Sequence, residues 1–236
     1  MNLNLLNEES MQPSEPTPCD FFKDEDAVKK AKQLGLPDFE LVREAIMVSD
    51  ADFRTKTRLN KARHISRWGT IAEQISLSCL KSGKHWQFID GSQPRLLNEK
   101  DNIQIIFMSG NIALGLADQI ISSHCNKGLV TLKNIKENQS SYDDETKLRT
   151  WILYFPSASH PAYKGIDIPT IPFEFAYPTS FVQNLKTEKI SILPSNHTCR
   201  IVFEIDNTLP VKTDPKPVLE PSDEIKPDDF DIQLVV

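Results

Sequence analysis

Apolar residues recur along this chain with two different periods, and the period changes once. From Asp24 to Ser82 they return every three to four residues, as on a helix with one buried face. The run AVKKAKQLGL predicts a short helix ending near Gly35, with Pro37 beyond it. Asp38 opens a second helical stretch, DFELVREAIMV. Ser49, with Asp52 three residues on, reads as a capping box for a third helix running towards Ser82. A break is expected in it near Trp68–Gly69, because glycine costs about 1 kcal/mol inside a helix.

Past Gly83 the period shortens to two. His85–Ile89 reads as a strand followed by the turn signal Asp90–Gly91, and Ile103–Met108 as a buried strand stopped by Ser109–Gly110–Asn111. Residues 112–123 fit both periods, and the expectation is strand first, then irregular chain. Leu129–Lys133 reads as a strand and 134–147 as a polar loop. Leu148–Phe155 predicts a central strand ended by Pro156. In 171–177, Phe173, Phe175 and Tyr177 alternate as in a half-buried strand, and Pro172 argues for a sheet edge. Lys189–Leu193 and Cys199–Ile205 complete a set of roughly six or seven strands.

The expected fold is therefore α+β: a helical N-terminal region followed by a mainly antiparallel β-sheet. Pro- and acid-rich composition marks disordered tails at both ends. The expected organisation is a tail over 1–23, a single domain over 24–206 (helical over 24–82, mostly β over 83–206) and a tail over 207–236.

Charge sharpens that division. Residues 1–26 hold seven acids and one lysine, and residues 204–236 hold nine acids and three lysines, a net of −6 each. The stretch between them carries 23 bases and 17 acids, so the overall −6 hides a basic body of +6. Such a body points to polyanions or acidic partners, screened by the chain's own ends. No stretch approaches the ~18 consecutive apolar residues of a membrane span, and Met1–Asn7 lacks the basic and apolar regions of a secretory signal. Cys19, Cys79, Cys125 and Cys199 never form CxxC and read as reduced thiols of a cytoplasmic protein.

The basic run is the leading functional candidate: Arg54, Lys56, Arg58, Lys61, Arg63 and Arg67, with His64 among them. At about 100° per residue Arg54, Arg58 and Lys61 share one stripe and Lys56, Arg63 and Arg67 another. Phe53, Trp68, Ile71 and Ile75 gather on a third side as the core anchor. Several cations on one rigid element suit phosphate neutralisation; the plainer alternative is a solvated face offsetting Glu44, Asp50 and Asp52. At the C-terminal tip, Phe230, Ile232 and Leu234 stand between acids, a pattern suited to docking in a basic, apolar groove or to mere solubility.

Enzymatic signatures are weak. Glu145-Thr-Lys147, with Asp90 or Asp101 upstream, has the residue types of a metal-dependent nuclease but sits in a polar loop. The five histidines share no ligand spacing, HExxH and GxSxG are absent, and eight glycines supply no phosphate loop. No catalytic residue, metal or cofactor is assigned. Trp86, Phe88, Trp151, Tyr154, Phe155, Phe173, Phe175 and Tyr177 read as sheet core rather than a base-stacking platform. The expected function is a non-enzymatic cytoplasmic protein, with no membrane partner, contacting nucleic acid, DNA included, through the basic helix. The alternative is a protein-interaction or regulatory subunit docking an acidic partner, and the weaker one an unrecognised nuclease or other enzyme.

Overall fold

A computed structural model describes residues 19–54, 60–83, 85–91, 93–123, 127–157, 160–161, 169–184, 191–194 and 197–206. In chain order these form β1 (Asp20–Phe22), α1 (Asp24–Gln33), α2 (Phe39–Arg54), α3 (Asn60–Lys81), β2 (Trp86–Ile89), β3 (Arg95–Asn98) and β4 (Ile103–Gly110). Then come α4 (Leu129–Asn138), β5 (Arg149–Pro156), β6 (Thr170–Pro178), β7 (Phe181–Asn184), β8 (Ser191–Pro194) and β9 (His197–Asp206). The α+β class holds.

Seven strands make one mixed sheet, in the order β1-β9-β6-β5-β4-β3-β2, and β7 and β8 pair separately. Within it β1 with β9 and β4 with β5 run parallel; the other four pairings are antiparallel. Leu148–Phe155 thus reads correctly as the central strand, with every residue of β5 buried.

The helices cover one face. Ala27 and Ala31 of α1, Val42, Ala45 and Ile46 of α2, and Ile71, Ala72, Ile75 and Cys79 of α3 are all buried at helical spacing. They meet the alternate residues Ile103, Ile105 and Phe107, Trp151, Leu153 and Phe155, and Phe173, Phe175 and Tyr177. Asp38 starts α2 as expected: its Oδ1 accepts the Glu40 N–H at 2.8 Å.

The boundary expected at Ser49 does not exist. Ser49 is wholly buried inside α2, and its hydroxyl donates to the Ile46 carbonyl at 2.9 Å. Nor does α3 break at Gly69, which lies inside a continuous 22-residue helix. The Trp68 indole N–H donates to the Phe107 carbonyl at 3.1 Å, so packing on β4 holds the helix together across the weak position.

The second face overturns the half-buried reading of 171–177. Ile106, Met108, Leu114, Ile121, Ile152, Tyr154 and Ala176 form a second apolar cluster, and Glu174 has no exposed surface. Residues 111–121 cover this face as turns and irregular chain, not as the expected strand. Arg200 dictates that shape. Its Nε and Nη2 each donate to Glu174 at 2.9 Å. Its Nη1 donates to the Leu116 and Gln119 carbonyls, both at 2.9 Å, and Nη2 also reaches the Ala113 carbonyl at 3.4 Å. All five N–H donors of the guanidinium are thus occupied. Three carbonyls converging on one group require a turning chain. Gly115 supplies the turn at φ +79°, where a Cβ would stand 2.8 Å from Pro172 Cβ.

Three further expectations are corrected. β6 is interior, between β9 and β5, despite Pro172; that residue lies outside the stretch of β6 paired with β5, Glu174–Ala176. Residues 20–22, expected within the tail, pair with β9 from Asp20↔Cys199 to Phe22↔Ile201. The rest of both tails, 1–18 and 207–236, lies outside the described residues. Finally, Leu129–Lys133 belongs to helix α4. Its exposed positions include Leu129 and Val130, while Thr131, Asn134, Ile135 and Asn138 are buried at i, i+3, i+4 and i+7. Polar residues inside and apolar ones outside invert the pattern from which the strand was read.

Asn138 explains why α4 buries polar groups. Its Nδ2 donates to the carbonyls of Thr150 at 2.7 Å and Pro178 at 2.9 Å, and its Oδ1 accepts the Thr150 N–H at 2.8 Å. Extrapolating the β5–β6 register places Thr150 opposite Pro178, which has no N–H to give. The Asn138 amide fills that gap in the ladder.

Two stability changes are expected. Gly69→Ala should stabilise the fold by about 1 kcal/mol in chemical denaturation, because an added Cβ meets nothing within 4 Å. Asn138→Ala should cost roughly 2–4 kcal/mol by the same measurement, since it strands three buried backbone groups.

Candidate functional site

The basic run falls at the junction of α2 and α3. Arg54 is the last residue of α2, and Lys61 and Arg63 lie in the first turn of α3. Lys56 and Arg58 belong to the connection, outside the described residues. From Arg54 to Ala72 the sequence contains no acid. Three of the six expected cations, Arg54, Lys61 and Arg63, therefore lie where α2 ends and α3 begins.

Arg67 is not one of them. It is only 4% exposed, so its assignment to an outward stripe is corrected. Its Nε and Nη2 reach Asp50 Oδ1 at 2.8 and 2.7 Å, and its Nη1 donates to the Pro156 carbonyl. The guanidinium also lies 5.6 Å from the centre of the Phe155 ring. Asp50, expected to offset a solvated face, is buried with it. Together they tie α2, α3 and the C-terminal end of β5, and this fixes the base of the basic tip. An arginine inside a basic run carries no local mark of burial; its spacing from Ile71 and Ile75, one and two turns on, was the available signal.

His160 is buried beside this pair. Desolvation, then the Arg67 charge, push its imidazole below the ordinary value of 6.5. The folded state therefore prefers the neutral ring, while the unfolded chain takes up a proton as pH falls through about 6.5.

The remaining candidates scatter. Glu145 and Lys147 are exposed in a turn, and Lys147 Nζ donates to the Ser140 carbonyl at 3.0 Å and pairs with Asp144 at 3.5 Å. Asp90 lies after β2, away from that turn in the chain, and Asp101 sits before β4 with its side chain accepting from Asn98 at 2.8 Å. The aromatics are core as expected, apart from Phe88, which is 39% exposed. Burial drives the Cys199 thiol up to about 12, far from a nucleophile's range. Phe230, Ile232 and Leu234 lie outside the described residues.

A polar group that sequence reasoning missed sits at the other end of β5. Arg149 and Trp151, both buried, line a cleft of about 240 Å³ together with Lys30 of α1. The Arg149 Nε and Trp151 Nε1 donors have no partner among the described residues. Nothing in the strand pattern distinguished these residues from the core around them.

No described helix is long and apolar enough to cross a membrane. Comparison with protein-family models, with curated proteins and with solved structures finds no match to this chain.

The titration of His160 has a measurable consequence. Stability should decline as pH falls through about 6.5 and stop declining, for this group, once pH passes below its lowered folded value. His160→Gln should flatten that part of a stability-versus-pH curve measured by denaturant midpoints; an unchanged slope would show that other groups set it.

Proposed function

We propose that this chain is a non-enzymatic cytoplasmic binding protein that contacts nucleic acid through the phosphate backbone. The contact surface is the α2–α3 tip, and its residues are Arg54, Lys56, Arg58, Lys61 and Arg63. The observation that carries this reading is the presence of Lys61 and Arg63 in the first turn of α3, within a stretch from Arg54 to Ala72 that holds no acid in the sequence. A helix N-terminus already bears partial positive charge, and lysine or arginine there costs the helix stability. Natural first turns favour Asp and Glu, yet that of α3 holds none. A fold that accepts this repulsion gains where the ligand brings negative charge.

The buried Asp50–Arg67 pair supports the reading from beneath. It neutralises the Arg67 charge inside the helix pair, and the sequence from Arg54 to Ala72 holds no acid. Contacts of this kind position a protein on phosphates and read little sequence, so duplex and single strands of DNA or RNA are all candidates. An acidic protein partner satisfies the same charge; salt-sensitive binding to nucleic acid itself separates the two.

The test is fluorescence anisotropy with labelled DNA and RNA across a salt series. Affinity should fall steeply with salt. Replacing Arg54, Lys61 and Arg63 together by Gln should weaken binding for every sequence alike and reduce the salt slope by up to about one unit per lost contact. Stability should change by no more than ~0.5 kcal/mol per substitution, as for charges on a surface. Absence of binding at low ionic strength, in the whole chain and after deletion of 207–236, would refute the proposal.

A further inference from the structure

The cleft at the start of β5 has a different chemistry from the basic tip. Its floor is the first turn of the strand, where Arg149 and Trp151 point to the same face two residues apart. One wall is the end of α1, with Lys30 and Leu34; the other is the turn after α4, with Tyr142. Arg149 is 8% exposed and Trp151 1% exposed.

Three observations converge on an anion. The Arg149 charge is buried, and among the described residues no carboxylate pairs with it; its one hydrogen bond runs from Nη2 to the Asp101 carbonyl at 2.9 Å. A buried, unpaired guanidinium is costly, so a fold that keeps one commonly supplies it with an anion. Two buried N–H donors of residues that line the cleft, Arg149 Nε and Trp151 Nε1, have no acceptor among the described residues, where native folds leave very few such groups. Lys30, the second cation of the lining, also lacks a carboxylate partner among the described residues; its Nζ lies 5.2 Å from the centre of the Phe22 ring.

The rest of the lining narrows the ligand. Leu34, Tyr142 and Trp151 offer apolar and aromatic surface for an organic body. At about 240 Å³ the cleft is smaller than the roughly 300–1,000 Å³ typical of sites for larger ligands. Asp143 and Glu145 stand exposed at the rim and disfavour multiply charged anions. A single carboxylate has two oxygens, each able to accept from one of the orphaned donors, and carries one charge to match Arg149.

We infer that this cleft binds a small organic monocarboxylate, its oxygens meeting Arg149 and Trp151, its charge facing Lys30 and its apolar part lying against Leu34 and Tyr142. The two orphaned nitrogens are covered, so the guanidinium adjusts as the ligand seats. The site is independent of the nucleic-acid reading and survives its failure.

Nuclear magnetic resonance of the full chain tests this directly, because its three tryptophans give three indole N–H signals and Trp151→Phe assigns one of them. Titration with benzoate should move the Trp151 indole signal saturably. Methyl benzoate, the neutral ester, should leave it in place, and inorganic phosphate should bind more weakly than benzoate. Arg149→Gln should weaken benzoate roughly tenfold to a hundredfold. Lys30→Gln, at a half-exposed position that should not disturb folding, should weaken it severalfold, and Glu145→Gln should tighten it. If benzoate at millimolar concentration moves no indole signal, the donors are met by water or by the rim acids and the inference is wrong. It is equally wrong if the ester binds as well as the acid, if phosphate binds more tightly, or if Lys30→Gln leaves benzoate binding unchanged.

Discussion

The architecture depends on one buried ion pair. Arg200 and Glu174 meet on the face of the sheet opposite the helices, with exposures of 4% and 0%. Desolvation pushes the Glu174 carboxyl above its ordinary range, and Arg200 with the Gly115 N–H pulls it back. Such a pair is costly unless its hydrogen-bonding capacity is met. Here it is met by carbonyls of Ala113, Leu116 and Gln119, which belong to no strand or helix. The pair therefore holds an irregular segment down as a second layer, and that layer buries Ile106, Met108, Ile152, Tyr154 and Ala176. Without it the sheet would present an apolar face to water.

Asn138 does comparable work on a smaller scale. The Thr150–Pro178 position cannot close as a normal β pair, and a side-chain amide from α4 stands in for the missing donor. In both cases a polar side chain completes backbone geometry that regular secondary structure could not. Both groups are fully buried, which is why residues looking like loop or surface in the sequence are interior in the fold.

The same principle revises the meaning of the chain's positive charge. Of the basic body's cations, Arg67, Arg149 and Arg200 are interior. Arg67 and Arg200 are matched by buried acids, whereas Arg149 meets only a carbonyl. Arg54, Lys61 and Arg63 stand where α2 ends and α3 begins, in a stretch of sequence without acids. The basic body's charge is thus in part structural, matched inside the fold, and in part a single interior charge in a cleft.

The sequence by itself determined the change from helical to strand periodicity, the helix over 24–33, the start of α2 at Asp38 and the central place of 148–155. These follow from local rules: side-chain period, capping and turn chemistry act between near neighbours. It also marked Phe173, Phe175 and Tyr177 as core. Tertiary structure decided the rest. Whether Ser49 caps a helix or lies within one depended on packing of α2 against α3; whether Gly69 breaks α3 depended on Trp68 reaching Phe107. The identity of α4 was hidden because its buried residues include Thr131, Asn134 and Asn138, and the partners of Asn138 lie on β5 and β6. The burial of Glu174, Arg200, Arg67 and Asp50 was hidden for the same reason. A charged side chain reads as exposed until its partner is known, and here the partners stand 26 residues apart in one pair and 17 in the other.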